Sequence, residues 1–330
     1  MTNRKHRVKL GSAKSDWISI LSGVPQGSIL GPLIFNIFIN DLFLFIKRSD
    51  ICNFADDNTL YKCGPNLSKI FKCIEEDMVN TLTWFKVNSL KANPKKFQFM
   101  VLGTKENREF KLNMNGASVM SKKSVKLLGI TIDNKLTFTE HIDHICKSAS
   151  YKLFALKRIR KYLTTKQAET LANAFINSQF NYCSLIWMFS GKRNLNKIHN
   201  IHKRTLRVVY KEYDKSYEEL LRDHNTTSIH QNHVKFLATE IFKSINKLNP
   251  EFMWQYFSVS DTNYMLRSGS RLNIPQANST KYGINSLVFR SAFLWNALPN
   301  SLKTCESLDA FKLEIKKETQ LPCNCPACRF

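Results

Sequence analysis

Two adjacent carboxylates, Asp56 and Asp57, stand in "NFADDNTLY" (53–61) between short runs of apolar and β-forming residues. Neighbouring like charges repel unless solvent or a cation relieves them, so the pair reads either as a solvated turn or as a seat for a hard divalent ion such as Mg2+ or Mn2+. Taken alone, Phe54-Ala55-Asp56-Asp57 favours the solvated turn. About thirty residues upstream lies "GVPQGS", in which Gly23 and Gly27 permit close backbone approach and Pro25 stiffens the loop. Gln26 adds an amide that can pair with sugar or base edges.

The elements that would carry these residues can be read from the pattern. "RVKLGS" and "DWISILSG" predict two short strands joined by a Gly/Ser turn, and Pro32 predicts a helix start at the head of "PLIFNIFINDLFLFI". "ICNFADDNTLYK" predicts a tight hairpin with Ala55, Asp56, Asp57 and Asn58 at its bend. Apolar Ile74, Met78, Leu82 and Phe85 predict an amphipathic helix, with Glu75, Glu76 and Asp77 near its start. "KKFQFMVLG" and "SVKLLGITID" predict strands, after which helical patterns dominate. The expected division is near residue 140, with an α+β part over 1–140 and a mostly helical part over 141–330.

Composition points to a polyanionic partner. The 330-residue chain carries a formal net charge of +23, far more than solubility requires, and nucleic acid is favoured over a membrane surface. Between residues 141 and 210 thirteen Lys/Arg stand against two acids. In "YKLFALKRIRKYL" the apolar Leu153, Leu156, Ile159 and Leu163 share a helical face, leaving Lys157, Arg158, Arg160 and Lys161 as candidates for the nucleic-acid backbone. No apolar run has signal-peptide or membrane-spanning character, so cytoplasm and nucleus are expected. Nine cysteines, mostly scattered, fit a reducing compartment. Cys323, Cys325 and Cys328 at the C-terminus are a partial zinc set with Cys305 as the nearest fourth thiol; a reduced cysteine-rich tail is the favoured reading.

"SGVPQGSILGPLIFNIFINDL", the "FADD" hairpin and "LKANPKKFQFM", in that order, resemble the palm of LINE-type (non-LTR, jockey-like) retrotransposon reverse transcriptases. The similarity continues through "VKLLGITIDNKLTFTEHI" to "SRLNIPQANSTKYGINSLVFRSAFLWNALPNSL". It implies a partial polymerase palm, an antiparallel sheet with helices on one face, followed by a helical thumb and C-terminal extension. It further implies RNA-directed DNA polymerase activity by two-metal nucleotidyl transfer on an RNA template, DNA primer and dNTPs. Asp56 would be the main metal ligand and Asp57 the supporting one. Gly23, Pro25, Gln26 and Gly27 would meet nucleotide and template. Lys96 would lie near the triphosphate, with Lys95 its alternative, and Leu128 and Gly129 would form the primer grip.

The family's further metal-binding aspartate precedes its GVPQG segment, and the 22 residues before Gly23 hold only Asp16, which the resemblance places in a connecting hairpin. A fragment inactive by itself is therefore expected, the alternative being a non-catalytic nucleic-acid-binding remnant.

Overall fold

The computed structural model describes residues 4–20, 23–25, 27–104, 108–114, 116–259, 271–323 and 325. Two compact units divide between Lys123 and Ser124.

The first unit is α+β. β1 (Arg4–His6) pairs with β4 (Ile18–Ile20), and β2 (Lys9–Leu10) with β3 (Ala13–Lys14), so the opening stretch is one long hairpin turning at Gly11, whose φ is +59°. α1 (Gly31–Ile39) carries Pro32 in its first turn, as expected, and runs into a 3-10 segment over Asn40–Phe45. A Cβ on Gly31 would stand 2.7 Å from Ser28 Oγ, so a larger residue there would displace that hydroxyl. β5 (Asp50–Phe54) and β6 (Asp57–Tyr61) form the acidic hairpin.

α2 (Leu67–Val87) begins earlier than its apolar period predicts, because the Asn66 side chain accepts a hydrogen bond from Lys69 N and caps the helix. Glu75, Glu76 and Asp77 are consequently mid-helix. Trp84, 1% exposed, packs on Ile39 and Leu42 and donates its indole N–H to Asp41 at 3.0 Å, tying α2 to the segment after α1. β7 (Lys111–Met114) pairs with β8 (Ala117–Met120); Leu112 and Met114 are buried, and Asn113 N donates to Glu75 at 2.7 Å. "KKFQFMVLG" contributes one isolated bridge, Phe99 to Ser121, instead of the expected strand. The ring of Phe99 spends its apolar surface edge-on against Phe71 of α2.

The second unit opens with a hairpin, β9 (Ser124–Leu127) and β10 (Ile130–Asp133), where the sequence predicts a single strand. Leu128 and Gly129 both have positive φ, 46° and 87°, which makes a two-residue reversal. Ile130 joins the helical core, so this hairpin belongs with the helices. There follow α3 (Thr139–Ile159), α4 (Thr165–Leu171), a π-helical stretch over Ala172–Asn177, and the short α5 (Ser178–Asn181) and α6 (Ser184–Trp187). After them come α7 (Lys192–Tyr210), α8 (Tyr217–Asp223), α9 (Ile229–Ile245) and the short α10 (Glu251–Trp254). α11 (Leu287–Ala297), α12 (Asn300–Lys303) and α13 (Leu308–Lys317) close the unit.

α3 and α7 share a core built on Ile142, Ala149, Ile176, Phe180 and Ile198, while α9, α11 and α13 enclose a second around Leu237, Ile241, Trp295 and Phe311. The α+β expectation holds, with the described strands arranged as five separate two-stranded antiparallel ladders. No helix among the described residues is long and apolar enough to cross a membrane.

Candidate functional site

Phe54 faces Asp57 in the ladder, so the hairpin loop is only two residues, Ala55 and Asp56. Ala55 takes a left-handed φ of 53°, and the asparagines flanking the tip hold it there. The Asn53 amide donates to Ala55 O at 3.0 Å and to Asn58 Oδ1 at 2.6 Å, while Asn58 Nδ2 donates to Asp56 O at 3.2 Å. Asp56 therefore sits on the loop and Asp57 on the first position of β6, both exposed to solvent.

The base of this hairpin is anchored by a residue that the helix-start reading misassigned. Asp77 is fully buried and accepts from the backbone N–H groups of Lys47, Arg48 and Ser49 at 3.0, 2.8 and 2.6 Å, and from Ser49 Oγ at 2.7 Å. Burial by itself would raise its pKa, but those hydrogen bonds to the charged form prevail and hold the carboxyl below its usual range. Three consecutive amides are thus fixed immediately before β5 begins.

Asp56 and Asp57 are hard oxygen donors of the kind Mg2+ takes, and their exposure leaves room for waters and phosphate oxygens in an octahedral shell. Among the described residues no third His, Cys, Asp or Glu joins them in a cluster of metal-ligating groups. They fit as part of a divalent-ion site and fall short of a full two-ion set.

In the other loop, Gly23 and Gly27 have φ of +84° and +80°, conformations that suit glycine, and Gly23, Pro25 and Gly27 are exposed. Gln26 lies outside the described residues. Ser28 ties the loop to α1, donating its N–H to Pro25 O and accepting from Gly31 N through Oγ. Lys95 and Lys96 are exposed on a 3-10 turn whose cap is Asn93. No hydrogen bond or ion pair among the described residues joins this loop or Lys96 to the acidic hairpin; what they share is the first unit.

In the second unit, the Leu128–Gly129 reversal is gripped by Tyr182, whose hydroxyl donates to Leu128 O at 2.7 Å and whose ring lies 3.5 Å from where a Cβ on Gly129 would be. The basic stretch divides. Lys157, Arg158 and Lys161 are exposed, as a phosphate-binding face requires. Arg160 is corrected: it is 5% exposed, and its guanidinium donates to the carbonyls of Val208, Val209 and Leu163 and to Thr165 Oγ1, at 2.6 to 3.2 Å. Its charge caps the last turn of α7, where carbonyls lack helical partners, so it is unavailable to a phosphate. Ile159, assigned to the apolar face, is 45% exposed instead.

The same surface carries aromatic residues that a count of charges overlooks: Tyr151, Phe154 and Tyr162 are 67%, 64% and 75% exposed. On α3, Tyr151, Phe154 and Arg158 follow helical three-and-four spacing, a signal present in the sequence. Cationic side chains suit phosphates, and exposed aromatic ones suit stacking on unpaired bases.

A family model described as reverse transcriptase (RNA-dependent DNA polymerase) matches residues 5–132. These residues belong to the reverse transcriptase family. The match takes in the glycine loop, the Asp56–Asp57 hairpin, Lys96 and the Leu128–Gly129 turn. The chain is 24% identical over 219 residues to the RNA-directed DNA polymerase from mobile element jockey of Drosophila melanogaster, covering 63% of this chain and 24% of that protein. It is 24% identical over 221 residues to the probable RNA-directed DNA polymerase from transposon BS of the same fly, with the same coverage. A Pol polyprotein from type-1 retrotransposable element R1 2 of Nasonia vitripennis is 25% identical over 177 residues, covering 50% of this chain and 43% of that protein. Beyond residues 5–132 the chain is similar to these polymerases and Pol polyproteins of mobile elements. The chain spans about a quarter of the length of the jockey and BS relatives. No solved structure matches it.

Proposed function

We propose that this chain supplies palm and thumb portions of an RNA-directed DNA polymerase, acting on an RNA template, a DNA primer and dNTPs. The observation that carries the proposal is the pair of exposed carboxylates on a two-residue hairpin inside the reverse transcriptase segment. Asp56 and Asp57 hold divalent metal, Asn53 and Asn58 keep the tip in the conformation that presents them, and Asp77 fixes the chain leading into it. Bound Mg2+ or Mn2+ would supply activation of the primer hydroxyl and neutralisation of the leaving pyrophosphate. The loop containing Gly23, Pro25, Gln26 and Gly27 lets nucleotide and template approach the backbone, and Lys96 offers a cation to the triphosphate. Leu128 and Gly129, steadied by Tyr182, position the primer end. Lys157, Arg158 and Lys161 bind phosphates of the RNA:DNA hybrid without reading bases.

The test is primer extension with Mg2+ or Mn2+, using this chain and the same chain joined to the upstream polymerase portion of the jockey relative. Asp56→Ala should lower the extension rate of the active form by about a hundred- to a thousandfold, the loss expected when a charge-stabilising group of the reacting centre is removed. An unchanged rate would place the active site elsewhere.

A further inference from the structure

The C-terminal cysteines take part in a cluster that their own spacing does not reveal. His230, the second residue of α9, is 3% exposed, and its Nε2 lies 3.4 Å from Cys323 Sγ and 3.4 Å from Cys325 Sγ. The three donor atoms all lie within 4.8 Å of one another, and Cys325 is fully buried. Cys305, the nearest candidate for a fourth thiol, is absent from this cluster and donates its S–H to Ser301 O at 3.3 Å. Cys328 lies outside the described residues.

The arrangement is built. Gln231, next to His230, holds the chain at Leu321 by both ends of its amide: Nε2 donates to Leu321 O at 3.3 Å and Oε1 accepts from Leu321 N at 2.9 Å. Leu321 is 2% exposed within the core of α9, α11 and α13. The chain is therefore pinned two residues before Cys323, and the C-x-C spacing brings both thiols to one imidazole.

The distances match a metal. With Zn–N near 2.0–2.1 Å and Zn–S near 2.3 Å, the N···S edge of a tetrahedron is about 3.6 Å, close to both observed separations. Two thiolates and an imidazole select zinc over the hard ions favoured by Asp56 and Asp57. Hydrogen bonding alone explains less, because a single Nε2 proton reaches both sulfurs only by being shared in a weaker three-centre bond, whereas a metal ion engages all three donors directly.

We propose that His230, Cys323 and Cys325 bind a zinc ion through three protein donors, with water completing the tetrahedron, and that this ion fastens the C-terminal segment to α9. Chain purified without chelator should contain about one zinc per molecule, lost in the Cys323→Ser/Cys325→Ser double variant and kept in Cys63→Ser, whose thiol is exposed and remote in sequence. Chelation should lower the melting temperature by several degrees, and zinc should restore it. Cobalt added to the stripped wild-type chain should give thiolate-to-metal charge-transfer absorption and tetrahedral d–d bands that saturate at one equivalent. Absence of the thiolate band, or zinc retained by the double variant, overturns the proposal. The cobalt titration decides even if the double variant fails to fold, and no readout depends on polymerase activity.

Discussion

The acidic hairpin and the Arg160 junction treat charge in opposite ways. At residues 56 and 57 two like charges stand side by side in solvent, and among the described residues the side-chain hydrogen bonds at the tip come from asparagines and hold backbone and each other. At residue 160 a single cation is buried, with its guanidinium spread over three carbonyls and a hydroxyl. The hairpin spends no stability on its carboxylates and leaves them free for ligands; the junction spends the whole side chain on joining the end of α3 to the end of α7. Exposure thus leaves the first pair open to ligands, and burial makes the second part of the architecture, although both look like charge clusters in the sequence.

Replacing each residue sharpens the contrast. Arg160→Ala should destabilise the helical unit by about 3 kcal/mol, because carbonyls of α7 lose a charged donor while remaining buried. Asp56→Ala and Asp57→Ala should change stability by no more than about 0.5 kcal/mol, as exposed substitutions do. Urea unfolding monitored by far-UV circular dichroism checks both values. A large loss at Asp56 would mean that the hairpin depends on its acids for folding.

A smaller effect separates the hairpin's tip from its base. Because the folded-state pKa of Asp77 is depressed, its stabilising contribution is complete above the unfolded carboxyl pKa, about 3.9, and is lost as pH falls through that value towards the folded one. Asp133 behaves alike: burial raises its pKa, yet donors from Thr137, Phe138 and Lys135 hold it low where β10 turns into α3. Acid titration of the wild type should show destabilisation beginning near pH 4, and Asp77→Asn should make that dependence shallower. An identical acid profile in the variant would remove Asp77 from the account.

The smallest expected change in stability accompanies a large one in binding. Lys157→Ala/Arg158→Ala/Lys161→Ala should leave folding nearly unchanged yet reduce the slope of log affinity against log salt for an RNA:DNA hybrid by about 2 to 3, one phosphate contact being released per cation. Identical slopes would show that these exposed cations are merely solvated.

What the sequence made legible was local. The 50–61 hairpin was readable from β-forming runs on either side of Ala-Asp-Asp-Asn, and the α1 start from Pro32, since each depends on a few neighbouring residues. Arg160 was unreadable as a structural group because in "KRIRKY" its partners, the carbonyls of Val208 and Val209, lie 48 and 49 residues on. His230 was missed for a related reason: it reaches Cys323 and Cys325 across 93 and 95 residues, beyond any spacing rule. Asp77 illustrates a third limit. Its position beside Glu75 and Glu76 suggested an acid near a helix start, whereas the Asn66 cap places it mid-helix and its partners are the amides of residues 47–49, some thirty residues earlier.

The Arg160 junction also bears on the order in which the chain is made. Synthesis runs from the N-terminus at roughly 5–20 residues per second, so α3 and its arginine exist for several seconds before Val209 is added. During that interval only Leu163 O and Thr165 Oγ1, close in sequence, can partner the guanidinium. The last turn of α7 must emerge and fold before the carbonyls of Val208 and Val209 take it up, so the end of α3 is finished only when α7 is.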